Sequence, residues 1–339
     1  MGEYIIALDA MGGDQAPDAI VAGAVAALRR YPDIRVLLAG PEARLVQLLS
    51  DADDVSDRLE ILPADDVILM DEAPMLAVRK KVNSSMVQAM LAVKDGRAGA
   101  VVSAGNTGAI LAGGMLRIGR IPGVERPALA PVLPGSKKPF MLIDAGANVD
   151  CQPRYLEQFG LMGSVYMRSV MGVEKPAVGL VNIGAEEEKG NRLTKETYQL
   201  MRRQTSYCFA GYAEARDIPT GDYDVVVADG FDGNIILKYT EGLAKAMMDM
   251  LKANLMASKV SKVGAALSRP AFRKFKRSMD YNAVGGAPLL GVQGAVVKAH
   301  GASGETAIMN AIRQARLMLE GDVAGKIREG LKGLTGTEE

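Results

Sequence analysis

The chain has 339 residues, 48% of them hydrophobic, and 40 basic against 40 acidic side chains, a balance that excludes a disordered chain and a general attraction to polyanions. Its length exceeds the roughly 250–300 residues at which single cores stop growing, so one large domain and two fused lobes both fit. Only Cys151 and Cys208 occur, which excludes a disulfide framework and a cysteine zinc site and points to a reducing compartment, the cytosol by default.

The first strand-like run, YIIAL (4–8), begins without a basic leader, so neither a signal peptide nor a spanning helix is expected, and Ile6 breaks the myristoylation pattern. Short β-branched runs follow at IRVLLAG (34–40), GAVVSAG (99–105), PFMLIDAG (139–146), AVGLVNIG (177–184) and DVVVADG (224–230). They are continuously apolar rather than alternating, which predicts strands buried on both faces. Between them, DAIVAGAVAALRRY (18–31), NSSMVQAMLAVKDG (83–96) and NRLTKETYQLMRRQ (191–204) carry apolar residues at helical spacing. This alternation predicts an α/β fold, three-layer α/β/α, with a mostly parallel sheet. No linker or fixed-period repeat divides the chain, so residues 1–334 read as a single α/β domain followed by a disordered tail, 335–339.

Five strands end in small and polar residues: LDAMGGD, VSAGNTGA, LIDAGANVD, LVNIGAEEEKGN and VADGFDGN. One such loop alone is ordinarily a strand-to-helix turn, but ligands of parallel sheets bind beyond carboxyl ends, so five are expected to meet in one crevice. Neither the dinucleotide fingerprint nor the P-loop pattern is present. GNTGA (105–109) precedes the helical run AILAGGMLR, which makes Ser103, Gly105, Asn106, Thr107 and Gly108 candidates for an anion site at a helix start. In LDAMGGDQAP (8–17), Gly12 and Gly13 let the backbone approach the crevice, and Pro17 opens a helix that Asp14 is available to cap. Asp9 would repel phosphate and is expected instead to orient Lys, Arg or Asn neighbours.

The later loops contribute Asp144 and Asn148, then Asp229, Gly230 and Gly233. Arg79, Lys80 and Lys81 supply cations just before Asn and Ser residues able to cap a helix, although a solvated turn has the same composition. Lys189 lies among glutamates in EEEKGN (186–191), in a plain loop tip or held for use. His300, the only histidine, follows Lys298 at a strand end and precedes Ser303, a candidate helix cap; a structural and a donor role both stand. Cys151 has no visible base and is not expected to be a nucleophile.

Between Asp249 and Asp280 no acidic residue occurs. The helix-like run 236–260 carries Met and Leu residues suited to a core or a dimer interface. Beyond it Lys262, Leu267, Arg269, Phe272, Arg273, Lys274, Phe275, Lys276 and Arg277 interleave apolar and basic side chains, which suits anionic lipid or an acidic protein. Nucleic acid is not an expected partner, because no recognised binding motif is present.

Taken in order, DAMGGD (9–14), RKKVNSSM (79–86), SAGNTGA (103–109), DAGAN (144–148), NIGAEEEKGN (182–191), DGFDGN (229–234), GGAPLLG (285–291) and KAHG (298–301) resemble the bacterial phosphate acyltransferases of phospholipid synthesis, the PlsX family. The resemblance runs from Ile5 to the C-terminal helix; Val284, Val82 and Asn83 depart from its pattern without removing a group assigned to chemistry. It implies a fold akin to isocitrate and isopropylmalate dehydrogenases and phosphotransacetylase, a homodimer, and peripheral association with the cytoplasmic membrane. It also implies that Lys189 and Asn234 lie in the active site, with acyl carrier protein thioester and inorganic phosphate as substrates and acyl phosphate as the product passed to a glycerol-3-phosphate acyltransferase.

Phosphate is itself a nucleophile and a thiolate leaves readily, so the protein need only supply a phosphate site and donors for the oxyanion. No cofactor or metal is expected. Backbone N–H groups of GNTGA and DGFDGN are the expected donors, with Lys189, Asn234, His300 and Asp9 as catalytic candidates. The alternatives are a phosphotransacetylase acting on acyl-CoA, a decarboxylating dehydrogenase, and a non-catalytic membrane scaffold.

Overall fold

The computed structural model describes residues 3–278 and 285–335; Val284 and the tail from residue 336 lie outside it, as do the side chains of Lys276 and Arg277. Along the chain come β1 (Tyr4–Asp9), α1 (Asp18–Arg30), β2 (Ile34–Gly40), α2 (Glu42–Leu48), β3 (Leu59–Pro63), α3 (Pro74–Lys80), α4 (Ser85–Lys94), β4 (Ala100–Ser103) and α5 (Thr107–Gly113). A π-helical turn, Gly114–Ile118, extends α5. Then follow β5 (Ala128–Leu129), β6 (Val132–Leu133), β7 (Phe140–Ile143), α6 (Pro153–Ser169), β8 (Ala177–Asn182), α7 (Arg192–Arg202), β9 (Cys208–Glu214) and β10 (Val225–Val227). The chain ends with α8 (Gly230–Leu255), α9 (Lys259–Leu267), α10 (Arg269–Ser278), β11 (Ala287–Leu290), β12 (Ala295–Lys298), α11 (Glu305–Glu320) and α12 (Val323–Thr335).

The strands form two sheets, ordered β3-β2-β1-β4-β12-β11-β5 and β6-β7-β10-β8-β9. Pairing is parallel except where β11 meets β12 and β5, and where β6 meets β7. The apolar runs are continuous because both strand faces are covered. In β1, Ile6 and Leu8 join the cluster formed with α1 and α11, while Ala7 joins the one formed with α4 and α5. In the second sheet Met141, Val225 and Val178 face α6, and Phe140, Leu142 and Val226 face Ile236 and Leu237 of α8. The expected three-layer, mostly parallel architecture is therefore present, divided over two sheets, and one apolar cluster runs through both.

The sheets meet where β5 ends one and β6 begins the other. Asp144, just past β7, is fully buried, and its carboxylate accepts from Leu129 N at 2.9 Å, Ala147 N at 3.1 Å, Asn148 N at 2.7 Å and Asn148 Nδ2 at 3.0 Å. Ala145 N donates to Leu129 O at 2.8 Å, closing the joint from the other side.

Past Leu237, α8 has no buried residue, and Phe231, Ile235, Tyr239, Leu243, Met247 and Leu251 form an exposed apolar line at steps of four. The methionines here do not enter the core: Met247 and Met250 are 57% and 59% exposed.

Asp144→Ala would leave four donors without their acceptor, one of them in the other sheet. We expect a loss of at least about 3 kcal/mol in urea unfolding, with activity falling because the fold does.

Candidate functional site

The first wall is built on Asp9, 1% exposed at the end of β1. Ser85 Oγ at the start of α4 and Ser103 Oγ at the end of β4 each donate to its carboxylate at 2.6 Å, with Met11 N at 3.3 Å. Burial pushes this carboxyl above the usual range, and the hydroxyl and amide donors pull it back. Among the described residues no Lys, Arg or Asn is hydrogen-bonded to Asp9, and two serines stand where those partners were expected. Ser85 is legible in the sequence only as a possible helix cap, since nothing there tells that α4 starts beside the end of β1. A Cβ at residue 12 would fall 2.5 Å from Asp9 Oδ2 and 2.7 Å from Gly105 N, so Gly12 is required by close approach rather than by a ligand. Gly13 lies in the same turn, and Asp14 N reaches the Gly301 carbonyl at 2.8 Å, tying the loop of β1 to that of β12. Asp14 caps no helix; Pro17 is the N-cap of α1.

Beside Asp9, α5 begins at Asn106, whose Oδ1 accepts from Ala109 N at 3.0 Å and whose Nδ2 contacts the Leu69, Met70 and Glu72 carbonyls. Gly105 N is taken by Ser103 Oγ at 3.1 Å. Asn106, Ser103 and Gly105 are thus structural here. Among the described residues the N–H groups of Asn106, Thr107 and Gly108 have no acceptor, so this end of the helical stretch 107–118 presents open donors.

The cations of 79–81 are not gathered at this point. Lys81 pairs with Glu72 at 2.7 Å and Asp66 at 3.5 Å, pinning the segment before α3. Arg79 lies beside Arg117, at the far end of the stretch that α5 opens, and Lys80 is exposed.

At the second wall the start of α8 is closed to anions, contrary to expectation. Asp229 Oδ1 accepts from Phe231 N and Asp232 N at 3.0 Å, Gly230 N donates to Asn148 O at 2.8 Å, and Gly233 N to Asp229 O at 2.8 Å. A Cβ at Gly233 would stand 1.8 Å from Asp144 O, so the turn presses directly on the 144–148 backbone. Asp144 and Asn148 are spent on the joint, and Asn148 Nδ2 also reaches Pro127 O at 2.8 Å.

Two residues at this wall keep open polar groups. Asn234 is exposed and packs beside Gly146, 3.3 Å from where a Cβ would stand. Lys189 is exposed on the loop after β8, whose backbone Asn182 holds by donating to Gly184 O and Lys189 O. The neighbouring glutamates do not hold its ammonium: Glu187 pairs with Arg202 at 3.1 Å.

Lys298, the last residue of β12, lies opposite Ser103 of β4. Burial pushes its ammonium down to about 8, Lys238 of α8 adds to this, and Asp14 opposes it. It donates to the Ala299 carbonyl and forms no ion pair among the described residues. His300 is exposed; its Nδ1 accepts from Ala302 N at 3.2 Å, which leaves the proton on Nε2, a donor. Ser303 does not cap α11, whose N-cap is Gly304. Burial pushes the Cys151 thiol up to about 12, and nearby carboxylates act in the same direction.

The family described as "Fatty acid synthesis protein" matches residues 4–326. The phosphate acyltransferase of Clostridium perfringens (strain SM101 / Type A) is 51% identical over 324 residues, 96% of this chain and 96% of that protein. That of Clostridium botulinum (strain Loch Maree / Type A3) is 48% identical over 330 residues, 97% of this chain and 98% of that protein. The chain belongs to the phosphate acyltransferase family. In fold it is similar to a phosphotransacetylase from Streptococcus pyogenes (TM-score 0.63, 14% identity, 94% of each chain). It is also similar to the EutD phosphotransacetylase from Staphylococcus aureus (TM-score 0.61, 15% identity, 93% of this chain and 94% of that one).

The desolvation of Lys298 has a measurable cost to the fold. Lys298 is more acidic in the fold, at about 8, than the ordinary 10.5, so between these values the unfolded chain binds the extra proton. Stability from this group therefore rises with pH across that window. Lys298→Met is expected to remove the rise and gain up to about 3 kcal/mol near neutral pH, read by urea unfolding of both proteins at about pH 7 and pH 10. A difference between the proteins that does not change with pH would overturn this.

Proposed function

We propose that this phosphate acyltransferase moves the acyl group of an acyl carrier protein thioester to inorganic phosphate, releasing acyl phosphate and free carrier and supplying glycerol-3-phosphate acylation. The observation that carries the phosphate half, in a chain of this family, is that the desolvated Lys298 ends β12 opposite Ser103 of β4, the strand that leads to the open N–H groups at Asn106–Gly108. A phosphate oxygen attacks the thioester carbon, the C–S bond breaks, and the thiolate leaves to take a proton from a donor or from water. In this reading Lys189 and Asn234 donate to the oxyanion, Thr107, Gly108 and Lys298 hold phosphate, and the Nε2–H of His300 serves phosphate or the departing sulfur. Asp9 acts at one remove, fixing Ser85 and Ser103 and through them the loops. A thiol held up to about 12 makes Cys151 a poor nucleophile, which favours direct attack.

The chain's surface supports the partner assignments. No described helix is long and apolar enough to cross a membrane. Yet α9 and α10 expose Leu267 at 79% and Phe275 at 47% among Lys262, Arg269, Arg273 and Lys274, a composition suited to an anionic lipid surface or an acidic carrier. The apolar line on α8 suits a second copy of the chain, and a homodimer follows from it in this reading, working in the cytoplasm at the membrane face.

Lys189→Ala and Asn234→Ala are each expected to lower thiol release from acyl carrier protein by about 100- to 1000-fold with the circular dichroism spectrum unchanged. Near-normal turnover in both removes them from the mechanism; a preference for acyl-CoA over the carrier replaces the proposed donor. In a second test, Lys274→Glu with Arg273→Glu is assayed for binding to anionic vesicles and for carrier KM. Loss of the first alone assigns the surface to lipid, loss of the second alone to the carrier, and neither loss refutes both.

A further inference from the structure

Asn182 opens the motif NIGAEEEKGN, in which only Lys189 is an expected catalytic group. It is the last residue of β8, stands opposite Glu214 of β9 and is 6% exposed. The loop that follows leaves the strand at Ile183 and ends at Gly190, just before Asn191 caps α7. Both ends of that loop close on the same amide. Asn182 Nδ2 donates to Gly184 O at 3.1 Å and to Lys189 O at 3.2 Å, which uses both of its hydrogens, and Oδ1 accepts from the Thr194 hydroxyl at 3.4 Å. That hydroxyl also reaches Asn191 O at 3.2 Å, so the strand, the loop and the first turn of α7 share one knot. Gly190, at φ +99°, is required by it: a Cβ there would collide with Asn182 Oδ1 and Thr194 Oγ1.

The knot also sets the stem of Lys189. The carbonyl of this residue is held by Asn182, its N–H donates to Glu186 O at 3.0 Å, and its Cγ lies 3.2 Å from where a Cβ on Gly184 would stand. The side chain therefore leaves a backbone fixed on both sides, with its first carbons laid across Gly184. A lysine stem has much rotamer freedom to lose, and a donor serves a developing oxyanion best when it is already in place. The outer side of the loop is tethered through Glu187, 3.1 Å from Arg202 and from Tyr198, exposed contacts that water weakens. The buried amide is the firmer hold.

We infer that Asn182 is the positioning residue of Lys189: acting through the backbone rather than on the substrate, its amide, backed by Thr194, places the ammonium that the thioester oxyanion needs. This rests on the reading above in which Lys189 donates to that oxyanion, and adds to it the residue through which β8 aims the lysine.

The test is steady-state kinetics of the full chain, with acyl carrier protein thioester and inorganic phosphate each varied, in a double-mutant cycle, alongside limited trypsin cleavage after Lys189 read by mass spectrometry. Asn182→Asp sets a carboxylate oxygen against two carbonyls. It is expected to lower kcat about 10- to 100-fold, the cost of displacing a reacting group by about 1 Å, with phosphate KM within about twofold. It should also speed the cut after Lys189, whose carbonyl is released. In the Lys189→Ala background the same substitution should change kcat by less than about twofold, because no ammonium is left to place, whereas a purely structural role would lower kcat in both backgrounds. Thr194→Val keeps the volume and removes the hydroxyl behind the amide; it should give the same split with a smaller fall, about threefold or more, and carries the test if Asn182→Asp does not fold. If Lys189→Ala is impaired and the Asn182 and Thr194 variants are not, or if the losses multiply, the inference is wrong and Lys189 keeps its role. If Lys189→Ala turns over normally, the reading of Lys189 fails and the positioning role goes with it.

Discussion

Four N–H donors converge on the carboxylate of Asp144, and one of them, Leu129, belongs to the edge strand of the other sheet. A single buried charge, satisfied entirely by backbone and one amide side chain, thus holds two sheets at a fixed angle and distance. The cost of taking this carboxylate out of water is repaid only while all four donors are in place, so the joint tolerates little movement. Everything that faces the opening inherits its position from here. Gly230 and Gly233 press the first turn of α8 onto the 144–148 backbone, and Asn234 follows beside Gly146.

Asp9 does for the first sheet what Asp144 does across the joint. It stands at the end of a central strand, nearly without exposure, and gathers Ser85 from α4 and Ser103 from β4. Both acids point inward and use up their acceptors on the protein. The amides at the start of α5 lack acceptors among the described residues, and Lys298, Lys189 and Asn234 add side-chain donors. With Asp9 and Asp144 occupied internally, these donors suit an anion, as the proposed phosphate site requires. Asp9, Asp144 and Asp229 thus serve to set the walls of these loops.

Strand positions were legible because both faces of each strand are covered, so β2 coincides with the apolar run 34–40 and β1, β4, β7, β8 and β10 fall within or one residue beyond theirs. The division into two sheets was not, because it depends on β5 and β6, two residues each, too short to leave a pattern. At the site, the loops were legible as a set but the duties of their residues were not. Asn106, Asp144, Asn148, Asp229 and the glycines look like ligand groups in sequence and turn out to cap helices and permit contact. Arg79, Lys80 and Lys81 look like a cation cluster and disperse, since α3 carries Arg79 to Arg117 and Glu72 takes Lys81. Asn182 left no mark as a positioning group, because what it holds is decided by where the loop after β8 returns.

The long helix α8 connects these observations. Its first turn is locked to the joint, its second carries Asn234, and its 26 residues, about 39 Å in all, lead to the basic and apolar helices α9 and α10. Beyond Leu237 no residue of it is buried, so its outer two-thirds draws no rigidity from this chain's own core. A partner copy, a carrier protein or a lipid surface meeting that outer part would therefore act on a lever whose inner end is fixed by Gly233 against Asp144. The same joint that lets one buried carboxylate order two sheets thus fixes only the inner end of α8 and leaves its outer part to whatever the exposed helix meets.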